Sequence, residues 1–275
     1  MKIIGYGICG KEADRYLENT LKEFKRLCDE TIIVLNNATE KERTLIKQYG
    51  FHIKEDNREW GKEQHHIKED LMEDVKKLNP DYCVCLDMDE IFEPSLTRKI
   101  LEKLFDKGDA LYFYIVNLWD NGWRRKSSFF NIRAWKWSND LKFENRPLHC
   151  GLAPIWCYHY GSYIPFIVYH YGLMKKSDRL AKVERYKEYD PKAKYRSKEY
   201  YDSLLDDSSE EIDYDFIKKS LEKEVGNPQK KKIYTKINRK FYYVKKGDKV
   251  IDVPDYLLKE TLSRGFVLIN KAGND

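Results

Sequence analysis

The first hundred residues alternate strand-length apolar runs with longer segments of helical period. The apolar runs are residues 2–8, 31–35 and 82–86. Amphipathic helical segments begin near Ala13, Glu40 and Lys62, and a further helix is expected to open at Pro94. Strands that are apolar on both faces and separated by amphipathic helices predict a parallel sheet covered by helices on both sides. This half of the chain is therefore expected to be α/β.

The pattern changes after a strand expected at residues 110–116. Residues 119–171 are rich in aromatic side chains with mixed alternation, which predicts antiparallel strands and long loops. A helix is expected at residues 175–189, and the acidic run over residues 206–215 predicts a solvated helix face. Gly226-Asn227-Pro228 is the best candidate for a linker, because glycine and proline interrupt regular structure.

Beyond this linker the sequence becomes basic, and it predicts a hairpin over residues 241–253 followed by a short helix at residues 254–263. We therefore divide the chain into a main domain, residues 1–227, and a small basic β-rich module, residues 228–275. The main domain is divided further into residues 1–110, residues 111–205 and an acidic helical connector at residues 206–227.

Composition excludes several classes of protein. Of the 275 residues, 41% are hydrophobic, which is enough to fill a core and too many for a disordered chain. Charged residues make up 35% with a net charge of only +5, which indicates a mildly basic protein and does not indicate a nucleic-acid binder. No apolar stretch approaches the ~18–20 residues of a transmembrane helix, and no signal-peptide core is present. The six cysteines lack zinc-ligand spacing, so we expect reduced thiols in a cytoplasmic protein.

Two carboxylates, Asp87 and Asp89, directly follow the apolar run at residues 82–86. In an extended chain, residues i and i+2 face the same way, so both can converge beyond the carboxyl end of a parallel strand, where open α/β sheets bind ligands. Two acids in one site repel each other unless a cation neutralises them, and Mg²⁺ or Mn²⁺ takes oxygen ligands. The pattern predicts a metal site that bridges to phosphate oxygens, although acids also end strands as ordinary loop residues.

Further motifs accompany this pair along the chain. Residues 32–39 read IIVLNNAT, residues 86–90 read LDMDE, and residues 148–152 read LHCGL. Residues 170–174 read HYGLM and are followed by Arg179, Lys182, Arg185-Tyr186 and Tyr189-Asp190-Pro191. Over roughly residues 1–200 the chain resembles the family 2-type glycosyltransferases of the GT-A fold, and its last block is similar to that of a bacterial and viral branch. The resemblance implies an α/β, Rossmann-like and mostly parallel sheet with helices on both sides, to which the small β-rich C-terminal appendage is added.

The resemblance also implies a nucleotide-sugar donor, by preference a UDP-sugar, and Mn²⁺ or Mg²⁺ as cofactor. It assigns Asp87, Asp89 and His170 to the metal, and it places Glu12 and Asn36 near the nucleotide base and ribose. The other residues expected at the donor are Arg58, Lys62, Gln64, Met88 and Arg179, with Arg133 as a further candidate for the phosphates. Arg58, Lys62 and Gln64 are equally compatible with a solvated helix start. The chain departs from the family at Asn36, where the family carries Asp; an amide both accepts and donates hydrogen bonds, so the preference for uracil is less well defined.

Sugar transfer with inversion requires a base beside the acceptor hydroxyl. Asp120, in the segment Trp119-Asp120-Asn121, is the first candidate, and its rivals are Asp140, Glu144 and His149. The tryptophans of this region form either a sugar-stacking platform or part of the core, and they are Trp119, Trp123, Trp135 and Trp137.

Other functions are compatible with the sequence. The chain is alternatively a non-catalytic protein that binds nucleotide sugars or glycans and whose C-terminal module recognises a partner. Nucleotidyl transfer also uses paired acids and a metal, but a Gly-rich, Lys-containing phosphate loop near the N-terminus is missing. The acceptor (a glycan, a protein or a modified nucleic acid) is not defined by the sequence, and the module at residues 228–275 is a candidate site of oligomer formation.

Overall fold

The amino-terminal half of the main sheet is built from strands that alternate with helices, as the apolar pattern predicts. These elements are β1 (Ile3–Cys9), α1 (Leu17–Leu27), β2 (Glu30–Leu35), α2 (Glu40–Gln48), β3 (His52–Glu55), α3 (Trp60–Lys77) and β4 (Tyr82–Cys85). The structure is a computed structural model, and it describes residues 1–10, 15–106, 108–120, 122–145, 149–226, 241–246, 249–254 and 267–269.

The second half of the main domain mixes shorter and longer elements. They are β5 (Glu90–Phe92), α4 (Arg98–Phe105), β6 (Ala110–Trp119), β7 (Gly122–Trp123), β8 (Phe129–Lys136), α5 (Ile155–Tyr160), β9 (Ser162–His170), α6 (Lys176–Tyr189), α7 (Lys198–Ser203) and α8 (Tyr214–Gly226). The acidic run is helical only from Tyr214 onward, and residues 206–213 form a loop. The prediction of a helix face over the whole run is therefore wrong, because Asp206 pairs instead with Arg124 of the β7–β8 connection.

The strands form one mixed sheet in the order β3-β2-β1-β4-β8-β6-β9-β5, with β7 against β6. The strands β3, β2, β1 and β4 are parallel to one another. Strand β8 is antiparallel to β4 and to β6, and β9 is parallel to β6 but antiparallel to β5. The α/β class is therefore confirmed, with uninterrupted parallel pairing confined to the Rossmann-like part at residues 3–85.

Helices cover both faces of this sheet. On one face α1, α2 and α4 enclose a core that includes Leu17, Phe24 and Leu101, all of them fully buried. On the other face α3 and α5 enclose a second core that includes Leu71 and Cys157. Because burying one such large apolar side chain contributes about 1.5–3 kcal/mol, the two layers hold the strand ends in fixed positions.

Two elements differ from their predictions for local reasons. Helix α4 begins at Arg98 and not at Pro94, because the side chain of Thr97 accepts the N–H of Ile100 at 3.3 Å and caps the helix there. Strand β5 was not predicted, since it is only three residues long and immediately follows the acidic motif. Its pairing with β9 brings Glu90 opposite His170.

The carboxyl-terminal residues form a separate antiparallel sheet of β10 (Phe241–Lys246), β11 (Lys249–Pro254) and β12 (Val267–Ile269). The predicted hairpin is confirmed by the pairing of β10 with β11. The short helix predicted at residues 254–263 lies outside the described residues, apart from Pro254, which ends β11.

All six cysteines lie in the described part of the chain and are free thiols, as expected. Within the same residues, no helix combines the length and hydropathy needed to cross a bilayer.

Candidate active site

The carboxyl ends of β1, β2, β4, β6 and β9 lie at the same edge of the sheet. Strand β8 is antiparallel to both β4 and β6, so β6 and its parallel neighbour β9 run in the same direction as β4. This edge receives Asn36 after β2, Asp87 and Asp89 after β4, Asp120 after β6, and His170 at the end of β9. The polar residues predicted from distant parts of the sequence thus share the edge at which open α/β sheets bind ligands.

The chain turns between Asp87 and Glu90, where the N–H of Glu90 donates to the carbonyl of Asp87 at 3.0 Å. The extended geometry predicted for the two aspartates is therefore wrong, and the turn directs them to different partners. Asp87 Oδ2 lies 3.5 Å from Arg133 Nη2, and this carboxylate is half exposed. Asp89 Oδ2 lies 3.5 Å from His170 Nε2, and both of these side chains are 13% exposed.

A buried ion pair lies beneath Asp87. Arg133 donates from Nε and Nη2 to the two carboxylate oxygens of Glu90, each at 2.6 Å, and the side chains are 3% and 2% exposed. Glu90 also accepts the N–H of Asp87 at 3.1 Å. Burial raises the pKa of the Glu90 carboxyl, and the adjacent Arg133 opposes that shift. The pair therefore fixes the backbone from which the Asp87 carboxylate projects.

A β-bulge directs Arg133 into this position. Leu111 of β6 pairs with Ala134 of β8, but the next residue, Tyr112, pairs with Ile132, so Arg133 is the extra residue of the bulge. Bulges re-aim side chains in this way next to functional sites. Because the guanidinium is buried against two carboxylates of its own chain, the expectation that Arg133 binds donor phosphates is wrong.

His170 is oriented by Asn117, its register partner on β6. Its Nδ1 donates to Asn117 Oδ1 at 2.5 Å, and Asn117 is itself held by donating to the carbonyl of Ser127 at 2.6 Å. A hydrogen bond at one ring nitrogen fixes the tautomer and leaves the other nitrogen, here Nε2, for a ligand. Since Nε2 faces a carboxylate oxygen, the contact is favourable when Nε2 carries a proton or when both atoms share a cation.

The electrostatics of Asp89 agree with this arrangement. Burial favours a higher pKa for Asp89, but the interactions with His170, Lys182 and Arg15 together outweigh burial and hold the pKa below the usual range of an aspartate. Asp89 is thus a carboxylate near neutral pH in a nearly closed environment, which is the state that a hard cation requires.

Gly172 leaves the space in front of this pair. A Cβ atom added there would lie 1.9 Å from Asp89 Oδ2 and 2.8 Å from His170 Nε2. The N–H of the preceding residue, Tyr171, donates to the carbonyl of Asp89 at 2.8 Å and ties the two loops together. The glycine therefore keeps a small polar cradle open between Asp89 and His170.

We expect the substitution Gly172→Ala to lower turnover by about 10²-fold, because the methyl group displaces the Asp89 carboxylate by an ångström or so. Release of nucleoside diphosphate from a nucleotide sugar is the measurement. Gly50→Ala is a control for backbone strain alone, since no atom lies within 4 Å of its added Cβ but its φ of 71° is unfavourable for alanine. Full activity of Gly172→Ala would show that the cradle has no part in the reaction.

Asp120 is held at the same edge by the loop that follows β9. Its backbone has a φ of 47°, and its N–H donates to the carbonyl of Met174 at 2.7 Å. Its Oδ2 accepts from Arg179 Nη2 at 3.0 Å, and Arg179 also donates to Asp207 Oδ1 at 2.9 Å. The Asp120 side chain is 39% exposed, so its carboxylate is both oriented and reachable.

Arg179 is fully buried, and its guanidinium lies 4.5 Å from the centre of the Trp119 ring. In this structure it supports Asp120 and the carbonyls of Leu173 and Met174. Its assignment to the donor phosphates stays a prediction, and binding there would require the carboxylate of Asp120 or Asp207 to be displaced.

Two of the residues predicted at the donor, Asn36 and Arg58, are connected by a hydrogen bond. Asn36 Nδ2 donates to the carbonyls of Asp56 and Arg58, each at 2.8 Å, and so fixes the loop between β3 and α3. Arg58 pairs with Asp56, and Gln64 is buried in the first turns of α3. Of the other residues predicted at the donor, Lys62 is exposed and paired with Glu59, and Met88 is buried with its methyl against Gly7. Glu12 lies outside the described residues.

The rival bases occupy different places. His149 is half-buried with a φ of 60°, and its ring lies 5.0 Å from that of Tyr186 on α6. Asp140 follows β8, which ends at the opposite edge of the sheet, and it borders a groove with Trp156 and His159 of α5. Asp140 is therefore wrong as a candidate base, and Glu144 is exposed in the same connection.

The tryptophans do not form an exposed platform. Trp119, Trp123 and Trp135 are at most 1% exposed, and each indole N–H is used inside the protein. For example, Trp123 donates to the carbonyl of Glu211 at 2.7 Å. The sugar-stacking alternative is therefore wrong for these three, which belong to the core.

Sequence reasoning missed the residues that support the predicted ones. The motifs alone predict no role for Glu90, Asn117 or Gly172. The glycine at the third position of HYGLM is a signal that a close approach was needed, whereas nothing marks Asn117 in advance. Its role depends on the parallel pairing of β6 with β9, 53 residues later in the sequence.

Comparison with known proteins gives structural likeness only. No family model and no curated protein matches the chain. Staphylococcus aureus TarS is similar at 11% identity with a TM-score of 0.45, over 74% of this chain and 42% of that one. S. aureus TarS residues 1–349 in complex with UDP is similar at 10% identity with a TM-score of 0.40, over 74% of this chain and 70% of that one. CMP:2-keto-3-deoxy-manno-octonic acid synthetase complexed with CTP is similar at 10% identity with a TM-score of 0.32, over 50% of this chain and 74% of that one. At these scores the likeness assigns neither a family nor an activity.

Proposed function

We propose that the chain is a metal-dependent glycosyltransferase of the GT-A type, which transfers a sugar from a nucleotide-sugar donor to an acceptor hydroxyl with inversion. The observation that supports this most directly is the pair of Asp89 and His170, which faces the space left by Gly172 at the carboxyl edge of the sheet. The resemblance of residues 86–90 and 170–174 to family motifs favours UDP as the carrier.

The residues at this cradle fit a divalent cation. Carboxylates suit both Mn²⁺ and Mg²⁺, and the imidazole favours Mn²⁺, since Mg²⁺ prefers oxygen ligands. Asp89 and His170 would hold the ion and Asp87 would join them from the turn; when bound, the ion stabilises the charge on the leaving diphosphate. In the part of the chain that the structure describes, no three His, Cys, Asp or Glu side chains already form a metal-binding group. We therefore expect donor and metal to bind together, with phosphate oxygens completing the ligand set.

The chain's own residues prepare this end of the site. Asn117 holds His170 with Nε2 towards Asp89, and the pair of Arg133 and Glu90 holds the backbone N–H of Asp87. Because these supports are buried and mutually hydrogen-bonded, the ligands need little reorganisation when the donor arrives.

Asp120 is the residue that we propose as the base. Inversion in a single displacement requires a carboxylate that takes the acceptor's proton on the side away from the leaving group. Asp120 follows β6 at the same edge as Asp89, and the hydrogen bond from Arg179 orients its Oδ2 while the side chain stays accessible. On the other side of Asp89, Asn36, Arg58 and Gln64 flank the space that we propose for the nucleotide base, and Glu12 is expected to join them.

A thermal-shift screen of UDP-, GDP- and dTDP-sugars with and without Mn²⁺ tests the proposal. A ligand at about 100 times its Kd stabilises the protein by about 2.7 kcal/mol, which is a readily measured shift. We expect one nucleotide series to raise the melting temperature only when Mn²⁺ is present. We also expect EDTA to stop the release of nucleoside diphosphate and added Mn²⁺ to restore it. No shift with any nucleotide sugar would contradict the proposal.

The same screen separates catalysis from binding alone. A shift without release of nucleoside diphosphate, with every acceptor tried, would instead identify a nucleotide-sugar-binding protein. The acceptor and the role of residues 228–275, including any oligomer, stay predictions. The free thiols fit a reducing compartment, and we propose a cytoplasmic location on that ground.

A further inference from the structure

Helix α6 crosses the carboxyl edge of the sheet. At its start, Asp178 accepts from Arg15 Nε and from the hydroxyl of Tyr16, each at 3.3 Å. Both of these residues lie just before α1. Near its end, the ring of Tyr186 lies against His149. One turn later, Tyr189 covers Gly61 at the start of α3, where an added Cβ would lie 2.2 Å from the tyrosine ring.

Lys182 lies midway between Asp178 and Tyr186 along helix α6. It is four residues after Asp178 and four before Tyr186, and residues at that spacing share one face of a helix. Arg179, three residues before Lys182, lies beside this face and is buried against Trp119. The face with Lys182 is therefore directed at the edge that carries Asp89, and the charges of Lys182 and Arg15 both act on that carboxylate.

Lys182 is a half-buried cation without an ion pair. Within the described residues, no carboxylate oxygen lies within 4.0 Å of its Nζ, and it donates no hydrogen bond to the protein. Its neighbours on the helix differ in this respect. Lys176 pairs with Asp207 at 2.5 Å, and Lys187 pairs with Glu184 at 2.9 Å. A partly desolvated ammonium that faces a ligand site and has no protein partner is suited to an anionic group of the ligand.

We propose that Lys182 binds the diphosphate of the donor from the α6 side, opposite Asp89 and His170. The inference rests on the proposed function and adds to it the cation that recognises the phosphates. Asp89 Oδ2 and Lys182 Nζ are not in direct contact, so a phosphate group can lie between them. One of its oxygens would accept a hydrogen bond from the Lys182 ammonium, while Asp89 would hold the cation on the other side of the phosphate. Lys182 thus takes the role that the sequence assigned to Arg179.

Calorimetric titration of the full chain with UDP and with uridine, in the presence of Mn²⁺, is the test. We expect Lys182→Met to weaken UDP binding by about 10- to 100-fold, the range of a hydrogen bond to a charged group, and to leave uridine binding unchanged. Lys182→Arg is expected to retain most of the affinity. Lys187→Met, an exposed position of the same helix, is the matched control and should bind UDP as the unchanged protein does.

Equal UDP affinity of Lys182→Met and the unchanged protein would overturn the proposal. An equal loss for UDP and uridine would also overturn it, because it would show a structural role. Inorganic pyrophosphate with Mn²⁺ separates this inference from the proposed function. If the unchanged protein binds none of UDP, GDP and dTDP but binds pyrophosphate through Lys182, only the proposed function fails. If it binds neither nucleotides nor pyrophosphate, both fail.

Discussion

Replacing Asp89 with alanine is expected to lower the release of nucleoside diphosphate by about 10³-fold or more. A metal ion that stabilises a leaving diphosphate contributes several kcal/mol to the transition state, and each 1.36 kcal/mol is about a factor of ten. Asp89 is the one carboxylate that His170 Nε2 faces at 3.5 Å among the described residues, so its removal leaves only His170 and the half-exposed Asp87 to hold the ion. The initial rate with saturating donor and Mn²⁺ is the measurement.

Asp140→Ala is the matched control for this variant. Asp140 is also an aspartate in a connection of the main domain, but it is exposed at the opposite edge of the sheet. We expect it to keep the full rate. A calorimetric titration with Mn²⁺ and UDP adds a readout independent of turnover, in which Asp89→Ala should lose the metal-dependent part of the binding. An undiminished rate for Asp89→Ala would refute the metal assignment.

Asp120→Asn distinguishes the base from the metal site. The amide keeps the size of the side chain and the hydrogen bond from Arg179, but it cannot take a proton. Binding of UDP with Mn²⁺ should therefore be unaffected, in contrast to Asp89→Ala.

The fold of residues 3–85 could be predicted because its information is local. Runs such as residues 32–35 are apolar at every position, and the helices have a clear hydrophobic period, so the sequence of each element indicates whether it is a strand or a helix. The order of the strands in the sheet is harder to predict from the sequence, since it depends on which strands pair with each other. Antiparallel strands are predicted within residues 119–171, and β8 is one of them, but its position between β4 and β6 could not be derived, because this aromatic-rich segment suits core and surface equally well.

In the candidate site, too, local motifs could be read from the sequence, whereas contacts that depend on strand pairing could not. Asp87, Asp89 and His170 are predicted as metal ligands because they lie in short motifs, and the structure places all three at one edge of the sheet. The supports of these residues could not be found, because each depends on long-range register. Arg133 reaches Glu90 only because of a bulge between β6 and β8, and a bulge is a property of two strands together. The burial of Trp119 likewise depends on the loop at residues 206–213, whose carbonyl at Asp206 accepts the indole N–H.

Replacing Arg133 with methionine is expected to destabilise the protein by about 3–5 kcal/mol. Breaking a buried ion pair from one side leaves the other charge uncompensated, and Glu90 is 2% exposed with both oxygens directed at the arginine. The free energy of unfolding, measured in urea, is the readout. Arg43→Met is the matched control, because Arg43 pairs with Glu40 and Glu55 at the surface, where such pairs contribute about 0–1 kcal/mol.

The double variant Arg133→Met with Glu90→Leu separates the cost of a lone charge from the loss of packing. Once no carboxylate remains buried, an apolar pair of similar volume should recover much of the stability, because buried ion pairs are often no more stable than apolar replacements. Its activity should nevertheless stay low, since Glu90 also holds the N–H of Asp87 at 3.1 Å. A double variant that is both stable and fully active would show that the pair supports only the fold. A single variant as stable as Arg43→Met would show that Glu90 finds another partner. Stability recovered without activity would instead assign the pair to the positioning of Asp87, the role that its buried geometry beneath the cradle supports.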